Sequence, residues 1–324
     1  MKKFYLVFAV AMLALAFASC HKEGQFKPKE QIDRVLYSSS STTKYMAQSW
    51  TWDDKKLSKI DHYSSNGSLS WTEYITYDDK NRISKVEDFK YNETVEYKYD
   101  GKNLKSVDYF DEGKLEKTIN VTYDGKKISR LEFVNYQTSK TTEAKHLNSL
   151  FAGIENKINE RFEQAKSNHF KATTINNETS YVDIVWDGDN IVKTTFTLTR
   201  GGTYDSGEIL YNVLYTYNVE SVYTYDKNIN PKYGLRNLYC VTEAFDDNSE
   251  TMSCFSKNNL TSLSNRWNES YMINGQLDPD MSDSGIEEYN YTYTYDKNVP
   301  TECLVNHKED GSSYASYTTY YEYK

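Results

Sequence analysis

Cysteine is scarce in this chain: Cys20, Cys240, Cys254 and Cys303 are the only four in 324 residues. A fold held together by many bridges is therefore excluded. Histidine is almost as rare, and His21, His62, His146, His169 and His307 show no metal-ligand spacing with a second His or Cys, so no zinc set is written into the sequence. There is no G-x-S-x-G nucleophile turn, no H-E-x-x-H and no glycine loop for phosphate. No catalytic residue, metal ligand or cofactor is expected. The 38 basic residues do not cluster, and the formal net charge is -9, which excludes nucleic acid as a partner. After the first twenty residues no apolar run approaches the length of a spanning helix.

Those first residues are a targeting segment. Lys2 and Lys3 give a positive start, and Phe4 to Phe17 form a short apolar run. Small residues, Ala18 and Ser19, then precede Cys20. This arrangement resembles a bacterial lipobox, in which cleavage leaves an N-terminal cysteine that carries lipid; the alternative is a plain signal peptide with an incidental cysteine. The lipobox divides the chain into a signal peptide over 1–19, a flexible polar tether over 20–30, and one β-barrel-like domain over 31–324.

What is abundant is a repeated phrase. Trp52-Asp53, Tyr77-Asp78, Tyr99-Asp100, Tyr123-Asp124, Trp186-Asp187, Tyr225-Asp226 and Tyr295-Asp296 each open a short polar stretch, usually followed by an aliphatic such as Leu57, Ile83, Leu104, Ile128 or Ile191. The first four start 25, 22 and 24 residues apart. Asp bonds its own backbone two residues on, and Gly or Asn closes the turn. The flanks alternate with period two, as in Lys117, Ile119, Val121 and Tyr123 against Thr118, Asn120 and Thr122. Each unit therefore reads as a β-hairpin. The spacing of three between Leu57 and Ile60, or Leu104 and Val107, demands either a bulge or two covered faces.

Turn signals and alternation give roughly 14 to 17 strands. A sheet that large curls, splits or closes, and closure removes its sticky edges. The expected fold is all-β: a large antiparallel meander of Tyr-Asp hairpins forming a closed or nearly closed soluble barrel. One segment departs from period two. Ala144, Leu147, Leu150, Phe151, Ile154, Ile158, Phe162 and Ala165 follow helical spacing, which predicts one amphipathic helix over about 141–168, packed inside or on the barrel. Charges on both parities, Lys85 and Glu87 against Asp88 and Lys90, argue against lipid-facing strands.

Several phrases carry a family resemblance. The lipobox, "TYDKNINPKYGL" (224–235), "SKNNLTSL" (256–263) and "YTYTYDKNVPTE" (291–302) resemble a family of Bacteroidota lipoproteins of unknown function described as having a porin-like fold. The hairpin phrases are also similar to YD repeats. The resemblance implies a barrel-like fold and an outer-membrane lipid anchor, on a periplasmic or cell-surface face that it leaves open. It implies no activity.

Three smaller expectations complete the reading. Cys240 and Cys254, 14 residues apart around "DDNS", are a disulfide candidate if a hairpin turns there; two unpaired core thiols are the alternative. Asp278, Asp280 and Asp283 in "DPDMSDSG" read as an acidic loop tip rather than a calcium loop. The 31 tyrosines and 5 tryptophans suit sheet positions, and also suit stacking on a glycan or peptide. The functional expectation is a non-catalytic envelope lipoprotein that binds glycan or peptide through sheet aromatics. A structural or assembly partner of an outer-membrane complex is the first alternative, and a hydrolase with an unrecognised carboxylate pair the second.

Overall fold

The computed structural model describes residues 30–39, 43–136, 171–205, 210–235 and 254–324, together with Phe26, Pro28 and Met252. Sixteen strands follow in chain order. The first nine are short: β1 Ile32–Ser39, β2 Tyr45–Asp53, β3 Lys56–Tyr63, β4 Leu69–Tyr77, β5 Ile83–Asp88, β6 Glu93–Asp100, β7 Asn103–Asp111, β8 Lys114–Asp124 and β9 Lys127–Asn135. Five long ones come next: β10 Lys171–Asp187, β11 Asn190–Asp205, β12 Leu210–Ile229, β13 Asn258–Ile273 and β14 Gln276–Asp296. The last two are β15 Val299–Glu309 and β16 Ser312–Tyr323. Each pairs antiparallel with the next, and β1 pairs with β16, so the meander closes into a barrel. The helix expected over about 141–168 lies outside the described residues, and no described element is a helix. The acidic stretch from Asp278 to Gly285 is not a loop tip: it lies within β14, paired with β13 across an irregular register.

The repeated phrase forms one rim. Each aromatic of the seven pairs faces an apolar residue of the returning strand, as Tyr99 faces Leu104, Trp186 faces Ile191 and Tyr295 faces Pro300. The next pair inward then skips a residue on the returning strand, at Ser58, Ser84, Lys105, Ser129, Val192, Thr261 and Thr301. The spacing of three is thus a bulge, and not a sheet covered on two faces. It turns both aliphatics inward: Leu57, Ile60, Ile83 and Val86 are all fully buried. Where the skipped residue is Ser or Thr, its hydroxyl often bonds back across the hairpin. Ser58, Ser84, Ser129 and Thr301 donate to the carbonyls of Thr51, Thr76, Thr122 and Thr294 at 3.0–3.3 Å.

The same aromatics staple neighbouring hairpins together. Tyr77 donates its hydroxyl to the Leu57 carbonyl at 2.8 Å, Tyr99 to Ile83 at 2.7 Å, and Trp186 its indole N–H to Ile128 at 2.7 Å. Tyr123 instead accepts from the Leu104 amide. The chain ends follow the same rule. Tyr323 faces Ile32, with Asp33 skipped; Tyr323 donates to Pro300, and Trp52 donates to Ile32. Seven hairpins and the seam between the two termini therefore make eight equivalent units around this rim. That equivalence explains closure: the last unit leaves the same unpaired edge that the first one offers.

The wall sorts by parity. Inward positions near the stapled rim are aliphatic and form one core cluster. Outward positions carry ion pairs, including Lys59–Asp61, Lys85–Glu87, Arg130–Asp183, Lys193–Glu220 and Arg34–Glu322.

Candidate functional site

The unit built on Tyr225-Asp226 breaks the rule, and a cavity lies where it does. Its aliphatic, Leu260, comes after an insertion rather than a two-residue turn, although Tyr225 still faces Leu260. The staples are rerouted around the insertion. Ser256 donates to the Tyr225 hydroxyl at 2.8 Å and accepts from the Ile191 amide at 3.0 Å, so a serine stands between an aromatic and the backbone it would otherwise reach. In the next unit Tyr295 turns to the Asp226 carboxylate and to Asn259 instead of a neighbouring carbonyl.

Asn230 and Pro231, at the start of the insertion, help to line a narrow hollow that opens partly to solvent. Its other walls are side chains of β1, β2 and β13–β16: Val35, Gln48, Leu260, Tyr291, Cys303 and Tyr321 among them. Among the described residues of the lining Lys232 is the one cation, its ammonium 5.8 Å from the centre of the Tyr321 ring. Asn230 is held by its own turn, accepting from the Lys232 amide at 2.9 Å. Aromatic faces with a few amides and one cation can stack on a sugar or planar group and hydrogen-bond its edges. The tyrosine phenols of the stapled rim, Tyr77, Tyr225 and Tyr323, are all pushed above their usual range, chiefly by burial. They stay neutral: Tyr77 and Tyr323 donate to backbone carbonyls, and Tyr225 accepts from Ser256.

Further from the stapled rim the inward positions turn polar. Gln48, His62, Glu73, Asp88, Glu93 and Asp111 occupy successive strands β2 to β7, and each is buried. Burial and then the neighbouring Glu73 charge push the Asp88 carboxyl up. Glu116 is likewise raised, by burial and by Asp111. On the adjoining β8, burial drives the Lys117 ammonium down to about 8, against the pull of Glu178 and with the push of Arg200. No protein family and no curated protein matches this chain. Among the described residues no three His, Cys, Asp or Glu converge as metal ligands.

The residues marked in the sequence fall unevenly against this geometry. Cys20 and Cys240 lie outside the described residues; Cys254 is buried just before β13. Cys303, which carried no assignment, is in the cavity wall. The tyrosines do sit on strands, but most of the large ones face inward; Tyr74, Tyr136 and Tyr314 are the exposed exceptions among the described residues. The cavity and the acidic row were missed. Their signals were an insertion inside "TYDKNINPKYGL" and polar residues sharing the parity of the buried aliphatics.

Proposed function

We propose that this is a non-catalytic, lipid-anchored lipoprotein of the cell envelope that binds a glycan or peptide inside its barrel. The Tyr291, Tyr293 and Tyr321 wall, with Gln48, Asn230 and Lys232, is the contact surface. The observation that carries the reading is the tyrosine-lined hollow at the one irregular unit of an otherwise uniform rim. A rigid sheet presents these rings with little entropy left to lose on binding, so affinities of roughly micromolar to millimolar are expected. The ion pairs on outward positions suit a wall bathed in water, with membrane attachment left to Cys20 and its lipid. The anchor, the outer-membrane location and the kinship with porin-like lipoproteins belong to this proposal.

The test is a glycan and peptide array, followed by Tyr291→Ala and Tyr321→Ala. Loss of a bound class in both variants, with unchanged circular dichroism, is the expected result. No binding to any class, together with polysaccharide or ester turnover abolished by Glu73→Gln or Asp88→Asn, would replace this reading with the hydrolase.

A further inference from the structure

The acidic row contains a site with its own chemistry. His62 on β3, Glu73 on β4 and Asp88 at the end of β5 are 1%, 0% and 1% exposed. Both Glu73 carboxylate oxygens, Asp88 Oδ2 and both His62 ring nitrogens are buried with no hydrogen-bond partner. His62 Nε2 lies 3.2 Å from Glu73 Oε1, a close contact without hydrogen-bond alignment. The imidazole is fixed by stacking on Trp71, the ring centres 4.3 Å apart. Asp88 Oδ1 accepts the Lys90 amide, while the Lys90 ammonium is engaged by the Ser70 carbonyl.

A buried carboxylate without donors costs several kcal/mol unless it is paired or neutralised. One imidazole cannot serve two carboxylates. The missing element is therefore positive charge with hydrogen-bond donors. The described acids do not converge as a metal set. Oxygens spread over adjacent strands suit an ammonium, whose three N–H donors point in different directions. The site lies just beneath the rim: Asp88 is the last residue of its strand, and the following Phe89 is 69% exposed.

We propose that His62, Glu73 and Asp88 form a recognition site for a protonated primary amine on a ligand that enters over the β4–β5 wall, at the rim opposite the stapled one. Glu73 and Asp88 each accept one N–H, and the ligand charge replaces water that the wall excludes. This goes beyond the tyrosine cavity and does not rest on it.

Putrescine is the probe, and butane-1,4-diol, of the same length but uncharged, is its control. Calorimetry and thermal shift on the whole protein at neutral pH should show putrescine binding at least about tenfold more tightly than the diol. Glu73→Gln and Asp88→Asn should each remove that preference while leaving the circular dichroism spectrum unchanged. Equal response to amine and diol overturns the proposal, as does putrescine binding unchanged in Asp88→Asn. A response to calcium chloride without one to putrescine overturns it in favour of a metal. Should Glu73→Gln fail to fold, the wild-type comparison of amine with diol and the Asp88→Asn variant decide the question.

Discussion

The two rims of the barrel are built differently. At one, eight units repeat an aromatic, a facing apolar residue and a bulge; six of them are closed by a short turn, one by an insertion and one by the meeting of the chain ends, with most aromatics stapled to the neighbouring unit. At the other rim, strands end at unequal heights, from the six residues of β5 to the twenty-one of β14. Inward side chains there are mostly charged on β3 to β7, but apolar or aromatic on the long strands, as at Leu198, Val213, Tyr215 and Tyr271. Repetition concentrates stability at the first rim, where the same contacts are made around the whole circle. The second rim is free to vary, and the unsatisfied carboxylates lie beneath it. The one irregularity of the first rim, at Tyr225-Asp226, coincides with the tyrosine-lined hollow.

The sharpest way to break this contrast is to remove one staple. Trp186→Ala deletes an indole packed on the core, its bond to Ile128 and its contact with the Lys127 ammonium 4.6 Å away. A loss of about 3 kcal/mol or more is expected, read by chemical denaturation. Tyr314→Ala at the opposite rim, where the ring is 70% exposed, should change stability by less than about 0.5 kcal/mol. Equal effects would mean that the repeated rim has no special share in stability.

The same contrast governs what the sequence discloses. A staple needs an aromatic, an Asp and an aliphatic in fixed order, so Tyr99, Asp100 and Leu104 show themselves within six residues. The bulge was legible as a choice, because Leu104 and Val107 share a face only if one residue is skipped. Which alternative holds depends on the partner strand. Closure was legible only from strand number; the seam was not, because Tyr323 and Ile32 stand at opposite ends of the sequence. The acidic row was hidden for the same reason. Glu73 and Asp88 become a pair through register between strands, and nothing in their local spacing separates them from the other acids among the chain's 47.

A second prediction uses pH to separate the rims. In the folded chain the Lys117 ammonium has been driven down to about 8 by burial, whereas the unfolded chain holds that proton to about 10.4. Between those values the unfolded state binds more protons, so stability should rise as pH climbs from 8 toward 10, and be flat in this group below 8. An effect on the order of 2 kcal/mol is expected, discounted because the side chain keeps some solvent contact. The stapling phenols run the other way. Their folded values are raised, so they ionise first in the unfolded chain, and stability should fall beyond about pH 10. Denaturation of Lys117→Met should lose the rise and keep the fall. A rise that survives the substitution would place its source elsewhere.

A third prediction isolates the staple bond from its ring. Tyr99→Phe keeps the packing and removes only the hydroxyl that donates to Ile83. The carbonyl left behind loses a buried partner, and about 1 kcal/mol should go with it. If Tyr99→Phe were neutral while Trp186→Ala were severe, the rim would be held by ring packing, and the hydrogen bonds would only set register.

The smallest effect tests whether the short turns of this rim are equally suited to their geometry. The second residue after the aromatic adopts a left-handed backbone in at least five units: Asp54 at φ 55°, Gly101 at 58°, Gly125 at 61°, Gly188 at 54° and Lys297 at 48°. This is what a tight turn between right-twisted strands requires. Glycine adopts it freely, whereas lysine carries a Cβ that crowds the following carbonyl. Nothing lies within 4 Å of the Cβ position at Gly101, Gly125 or Gly188, so the cost at this turn position is the backbone conformation alone. Lys297→Gly should therefore stabilise the protein by up to about 1 kcal/mol, less the extra freedom glycine gains when unfolded. Gly125→Lys should destabilise by a similar amount. The pair of denaturation curves should move in opposite directions around wild type. If both variants lose stability, Lys297 makes a contribution of its own to the rim, and the units are less equivalent than their register implies.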